Sequence, residues 1–239
     1  MSLQSYAFEP GRTLARKYEV VSQIGSGWEG EVYMLAEKAT GIERAAKFFY
    51  PKRNPGNKTS ISYAKKLHKL RHCEVIIHYH TQETIQFQGK PVTFLVSDFV
   101  EGELLEDFCQ RQHRKRLDFF EGLHLLYALA KGVEEIHAMG EYHGDIHSEN
   151  IFVQRRGLTF DIKLIDLYHW SGASRTEAIQ DDVCNLVRVF YDSIGGAKYY
   201  AKMPQEAKDI CCGLRRSLIL KKFRSAGQLR RYLDDLYWN

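Results

Sequence analysis

His143-Gly-Asp145-Ile-His-Ser-Glu-Asn150 is the stretch on which the reading of this chain turns. It follows a long helical pattern and precedes a short apolar one, and Gly144 inside it argues for a loop. Asp145 can accept a proton from an attacking hydroxyl, while Asn150, five residues on, can offer its side-chain carbonyl to a hard cation. A second chemistry has to be weighed, because His143 and His147 stand four apart with His169 nearby, and on a helix that spacing would face zinc. The loop setting favours the carboxylate and carboxamide over the imidazoles.

Downstream, two short apolar strands, Ile151 to Val153 and Ile162 to Ile165, flank an Arg155-Arg156-Gly157 turn. Asp166 ends the second. A carboxylate at the mouth of a buried strand is costly unless paired or bound to a cation, and magnesium bridging nucleotide phosphates would meet that need. A turn-initiating Asp open to water is the plain alternative. Upstream, Phe119 to Met139 places Leu123, Leu126, Ala130, Val133 and His137 at helical spacing. Helical patterns return from Asp181 to Tyr191 and from Glu206 to the end.

The N-terminal part reads differently. Tyr18 to Ile24, Glu31 to Ala36 and Ile42 to Phe49 are rich in β-branched and aromatic residues, which predicts an antiparallel meander. A loop from Pro51 to Asn57 leads to a helix capped by Thr59 or Ser60, with Ile61, Ala64, Leu67 and Leu70 on one face. Strands near Val75 to His80 and Val92 to Val100 follow. Gly25-Ser-Gly27-Trp-Glu-Gly30 separates the first two strands, and glycines there let a hairpin bend closely over phosphates and present N–H groups to them. An ordinary glycine-rich hairpin has the same pattern. The segment runs on into Glu31-Val-Tyr-Met-Leu rather than a helix, which excludes the dinucleotide-binding version. Lys47, ending the third strand, can snorkel to the surface or reach beneath the glycine hairpin to neutralise phosphate charge.

A chain of 239 residues, 44% hydrophobic and 27% charged, fits one domain or two packed lobes. The net charge of +4 is mild. Basic residues between Lys65 and Arg71 and between Arg215 and Arg231 alternate with apolar ones, as on a solvated helix face, so nucleic acid is not the expected partner. No apolar run reaches the roughly 18 residues of a membrane helix, and the first residues lack a signal-peptide order, so the expectation is a cytoplasmic protein without a membrane partner. Five cysteines, with Cys211 and Cys212 adjacent, point to reduced thiols.

In this order, the segments resemble the eukaryotic-type protein kinase superfamily over nearly the whole chain, as a minimal, bacterial-looking Ser/Thr-kinase-like member. Gly25, Gly27, Gly30 and Val32 match its glycine-rich loop, Ala45 and Lys47 its V-A-I-K strand, and His143, Asp145 and Asn150 its H-R-D-x-x-x-x-N. Asp166 matches the metal-binding Asp of D-F-G. Phe94-Leu-Val-Ser-Asp98-Phe-Val100-Glu-Gly102 looks like the hinge, where backbone groups of Asp98 and Val100 would bind adenine beside a small gatekeeper, Ser97. Asp181-Asp182-Val-Cys-Asn-Leu resembles the start of the family's central helix, and Arg224 resembles an arginine near its last helices.

The resemblance implies an α+β, two-lobed fold, with an antiparallel-sheet N-lobe over residues 1–100 and a mainly helical C-lobe over residues 101–239. It implies ATP and Mg2+, with Asp145 as base, Lys47 on the phosphates, and Asn150 and Asp166 holding the metal. Four departures bear on the acceptor. Tyr63 stands where a helix glutamate would pair with Lys47, and no Asp or Glu occurs from Arg44 to Cys73. His147 replaces a lysine usual in protein Ser/Thr kinases, giving a string closer to aminoglycoside and choline kinases. Asp166 is followed by Leu-Tyr, and Asp181 comes only 15 positions later with no A-P-E between. Ser171, Ser174 and Thr176 in that segment read as loop hydroxyls. A Ser/Thr protein acceptor leads, a small-molecule hydroxyl is the alternative, and a nucleotide-binding pseudokinase scaffold is the reading from another class.

Overall fold

Tyr33, Leu35, Ala46 and Phe48 are fully buried at every second position of two neighbouring strands, the period expected when one face of a sheet covers a core. The computed structural model describes residues 5–157, 159–167 and 174–236. Two units make up the fold, the first being the described residues of Met1–His72 and Ile77–Val100. Its strands are β1 (Thr13–Leu14), β2 (Tyr18–Ser26), β3 (Gly30–Glu37), β4 (Glu43–Phe49), β5 (Tyr79–Phe87) and β6 (Lys90–Asp98). They pair antiparallel in the order β1-β2-β3-β4-β6-β5.

Aromatic rings fill the core of this unit. Phe48 and Phe94 stack at 4.4 Å, and Phe8 meets Phe48 edge-on at 5.0 Å. Glu31 sits among them, only 1% exposed. Its carboxylate accepts the Tyr6 N–H at 3.2 Å on each oxygen, the Tyr50 hydroxyl at 3.0 Å, and the Tyr33 hydroxyl. Burial alone would raise its pKa, but hydrogen bonds from Tyr33, Ser5, the Tyr6 N–H and Tyr50 hold the carboxyl below its ordinary value. Tyr6 also donates its hydroxyl to the Phe49 carbonyl at 2.6 Å, so the residues ahead of β1 belong to the core.

Four sequence expectations change here. Helix α1 (Lys58–Lys69) is capped by neither Thr59 nor Ser60. The Thr59 hydroxyl donates to the Arg53 carbonyl at 2.6 Å, and the Ser60 N–H donates to Asn54 Oδ1 at 3.1 Å, so an upstream asparagine satisfies the first turn. The buried face of α1 is Ser60, Tyr63, Ala64 and Leu67, while Ile61 is 41% exposed. The fifth strand lies later than Val75 to His80: Tyr79, Thr81, Glu83, Ile85 and Phe87 are half-buried and alternate with exposed neighbours. This is an edge strand whose polar residues mask its period. β6 ends at Asp98, which leaves Phe99 and Val100 outside the sheet.

The second unit comprises Cys73–Ile76 and the described residues of Glu101–Asn239. Ile76 forms a bridge to Leu164, and the Leu164 N–H donates to the Val75 carbonyl at 2.7 Å, which ties that short stretch to this unit. Strands β7 (Glu103–Leu104), β8 (Ile151–Arg156) and β9 (Thr159–Leu164) form a small antiparallel sheet. Helix α2 (Leu105–Arg111) opens the helical part of the chain after Gly102, whereas β7 has no sequence signal of its own. Helix α3 (Phe119–Ala138) starts at an Asp118–Glu121 capping box.

Helix α4 (Arg175–Ser193) starts well before Asp181, at a second capping box formed by Ser174 and Glu177. Ser174 is therefore a cap and Thr176 a first-turn residue, not loop hydroxyls; Ser171 lies outside the described residues. The helical pattern after Glu206 is three helices, α6 (Gln205–Cys211), α7 (Arg216–Lys222) and α8 (Ala226–Asp234), preceded by the short α5 (Gly196–Tyr200). Left-handed backbone at Cys212, Gly213 and Leu214 separates α6 from α7. Cys73, Cys109, Cys184, Cys211 and Cys212 are free thiols.

Glu31→Gln keeps the shape but offers an amide N–H₂ where phenols donate, so it should cost about 3 kcal/mol, or about 6–12 °C in Tm. Because the folded carboxyl titrates below its ordinary 4.5, its contribution is complete above that value and is lost as pH falls through the folded pKa. Thermal denaturation of both proteins from neutral pH into acid should show the gap between them closing as pH drops.

Candidate active site

Helix α3 hands the chain to Tyr142, His143 and Gly144, and a single carboxylate on α4 receives it. Asp182, fully buried, accepts the His143 N–H at 2.7 Å and the Gly144 N–H at 2.8 Å, with His137 Nε2 at 3.1 Å. Two charge-assisted bonds from backbone offset the desolvation of that carboxylate. Gly144 has φ +88°, a conformation that residues with a Cβ rarely adopt. The His143 ring then spans two segments: Nδ1 accepts the Asp145 N–H at 3.2 Å, and Nε2 lies 2.9 Å from the Ile165 carbonyl.

Asp145 and Asn150 come together on this loop. Asn150 is buried, and its Nδ2 donates to the Asp145 carbonyl at 2.9 Å and to Asp145 Oδ2 at 3.2 Å. The Asp145 carboxylate remains about half exposed, at 49%. With Nδ2 turned to Asp145, the Asn150 carbonyl Oδ1 is the atom a hard cation would meet. The Ile165 N–H donates to the Asn150 backbone carbonyl at 3.0 Å, and Asp166 follows directly. Asp166 is half-buried with φ +56°, a left-handed conformation that costs an L-residue roughly 1–2 kcal/mol and that clusters at functional sites. His147 Nε2 lies 2.9 Å from Asn150 Nδ2 and 3.6 Å from Asp145 Oδ2, so His143 and His147 point to different partners rather than to a shared ligand. Tyr168 and His169 lie outside the described residues.

In the first unit, Val32, Ala45 and Lys47 occupy the sheet face opposite the aromatic core. Val32 pairs with Lys47, Ala45 with Ser97, and Lys47 with Leu95. Of the three hairpin glycines only Gly30 is demanded by packing, because a Cβ there would stand 1.9 Å from the Phe48 carbonyl oxygen. Gly25 lies within β2 and has room for a side chain, and the Gly27 N–H closes the tip on the Gly30 carbonyl at 2.9 Å. Lys47 Nζ meets Glu29 Oε2 at 3.0 Å, and sits 4.9 Å from the Tyr63 ring centre and 5.3 Å from that of Phe49.

At the end of β6, the Asp98 N–H donates to the His78 carbonyl at 3.0 Å, so a base there would find the Asp98 carbonyl rather than its N–H. The Asp98 carboxylate meets Arg44 Nη1 at 3.3 Å and His80 Nε2 at 2.5 Å. Val100 is half-buried beyond the strand, and Arg224 is exposed. Sequence reasoning missed Glu29 and Asp182 as site residues. A carboxylate on the apolar face of α4, beside buried Ala178, Val183 and Leu186, was the available signal for Asp182; Glu29 had none.

A protein kinase domain model matches residues 18–200. The chain is 27% identical over 165 residues to cyclin-dependent kinase B2-2 of Arabidopsis thaliana, which covers 66% of this chain and 51% of that protein. It is also 27% identical over 154 residues to cyclin-dependent kinase B2-1 of Oryza sativa subsp. japonica, with 63% and 47% covered. The chain thus spans about half the length of the curated relatives it matches. Among solved structures, the kinase domain of Mycobacterium tuberculosis PknI superposes with a TM-score of 0.68 at 18% identity, over 96% of this chain and 99% of that one. No helix among the described residues is long and apolar enough to cross a membrane.

Asp182→Asn should destabilise the protein by about 3 kcal/mol, since its amide N–H₂ would face one of the two backbone N–H groups that the carboxylate oxygens accept. Amide hydrogen exchange at His143 and Gly144 should quicken by about tenfold or more. Asp181→Asn, on an exposed pair with Arg216, should change stability by less than about 1 kcal/mol.

Proposed function

The chain belongs to the protein kinase domain family, and we propose that it moves the γ-phosphoryl group of Mg-ATP to a hydroxyl, with a Ser or Thr of a protein as the leading acceptor. The observation that carries this reading is the Asp145 carboxylate, half exposed and oriented by the Asn150 amide on a loop fixed by Asp182. Asp145 accepts the proton of the acceptor hydroxyl as its oxygen bonds to phosphorus and the bond from phosphorus to the β-phosphate oxygen breaks, the electron pair leaving with ADP. The Asn150 amide, donating to Asp145 Oδ2, keeps the carboxylate aimed. Lys47 holds phosphate oxygens with its ammonium, and the hinge carbonyl of Asp98 with the backbone of Val100 takes the adenine.

Asn150 Oδ1 and the Asp166 carboxylate are hard oxygen donors suited to magnesium. When bound, that ion neutralises charge on the phosphates and the departing diphosphate. His147, beside Asp145 where protein kinases favour lysine, supports a second acceptor class, small-molecule hydroxyls. Tyr63 beside Lys47 supports a scaffold that binds nucleotide without transfer.

Asp145→Ala should lower transfer by about 10²–10⁴-fold while Mg-ATP binding changes little. The measurement is phosphate transfer from labelled ATP to a panel of proteins, peptides and small hydroxyl compounds. If wild type binds Mg-ATP yet shows no transfer that the substitution abolishes, the phosphotransferase reading is lost and the scaffold reading stands.

A further inference from the structure

We propose that Glu29, on the glycine hairpin, takes the part of the absent helix carboxylate and positions the Lys47 ammonium for phosphate. The inference rests on the phosphotransferase reading of Lys47. Helix α1 cannot supply this charge, since no Asp or Glu occurs from Arg44 to Cys73. The residue of α1 beside Lys47 is Tyr63, whose ring centre lies 4.9 Å from Nζ. The lysine side chain is only 12% exposed and lies over two aromatic rings, a setting in which an ammonium gains from a fixed counter-charge. Glu29 Oε2, at 3.0 Å, provides one.

The backbone of Glu29 is held in place from both sides. The Glu29 backbone carbonyl accepts the Tyr50 N–H at 2.9 Å, pinning the residue to the end of β4. Next to it, Gly30 lies so close to Phe48 that no side chain fits. On its other side the Trp28 ring lies 3.6 Å beneath the Arg53 guanidinium. The reach from Glu29 to Lys47 thus starts from a backbone tied to Tyr50 directly beside the Gly30–Phe49 pair. An ammonium has three donors, so one carboxylate and phosphate oxygens can share it. The chemical consequence is that the phosphate-holding lysine is registered to the hairpin above it, while α1 contributes an aromatic wall instead of a charge.

The test compares wild type, Glu29→Gln, and Glu29→Gln combined with Tyr63→Glu, which returns a carboxylate from the helix. Steady-state transfer should show Glu29→Gln lowering kcat/KM by about tenfold or more through both a higher KM for ATP and a lower kcat, with an unchanged melting temperature. The double variant should recover part of that loss. Glu29→Gln with wild-type kcat and KM, or with tighter ATP binding and faster transfer, would overturn the proposal, the latter showing a carboxylate that competes with phosphate. A double variant that melts like wild type and recovers nothing would do the same. If wild type shows no transfer sensitive to Asp145→Ala, the functional reading fails separately, and calorimetry with Mg-ATP still decides Glu29. Affinity weaker by about tenfold in Glu29→Gln supports its hold on Lys47, and unchanged or tighter affinity refutes it.

Discussion

One buried carboxylate governs the chemistry-bearing half of this protein. Asp182 accepts consecutive N–H groups from His143 and Gly144, and those bonds fix where Asp145 begins. Through the His143 ring the constraint passes to the Ile165 carbonyl, and through the Ile165 N–H to the backbone of Asn150. Asp145, Asn150 and Asp166 therefore inherit their positions from one anchor on α4. The anchor sits where α3 and α4 pack together: His137 of α3 reaches Asp182 at 3.1 Å, and further along a Cβ on Gly122 would stand 3.2 Å from the Phe190 ring of α4. Loop geometry of this kind is a product of helix packing, with a buried carboxyl group translating one into the other.

The first unit sets two carboxylates only two residues apart to different work. Glu31 is enclosed by phenols and a backbone N–H, neutral donors that make its ionised form tolerable in a core of rings. Glu29 is a quarter exposed and faces a cation. The first arrangement holds the sheet to the residues ahead of it. The second ties the glycine hairpin to the Lys47 ammonium.

The parts of the fold legible in the sequence are those with a strong local signal. Long helices such as α3, the aromatic strands β2 to β4, and the string from His143 to Asn150 all announce themselves within a few residues. What escaped depends on partners distant in the chain or on weak periods. β5 alternates Tyr, Thr, Glu, Ile and Phe with His, Gln and Thr, so its hydrophobic signal is faint. The first turn of α1 is satisfied by Asn54, outside the segment where a cap is usually sought. The roles of Asp182 and Glu29 span separations of 39 and 18 residues, and no spacing rule relates them. Helix propensity alone could not show that the backbone at Cys212 and Leu214 turns left-handed and divides the C-terminal pattern.

The family match begins at residue 18, yet Tyr6, Phe8 and Leu14 are buried ahead of it. The homologous region and the physical domain consequently have different edges. Cutting at the homologous edge would strip a carboxylate of a backbone donor and open one side of an aromatic cluster, although every residue that aligns with the family would remain. For this chain the unit of heredity is smaller than the unit of cohesion.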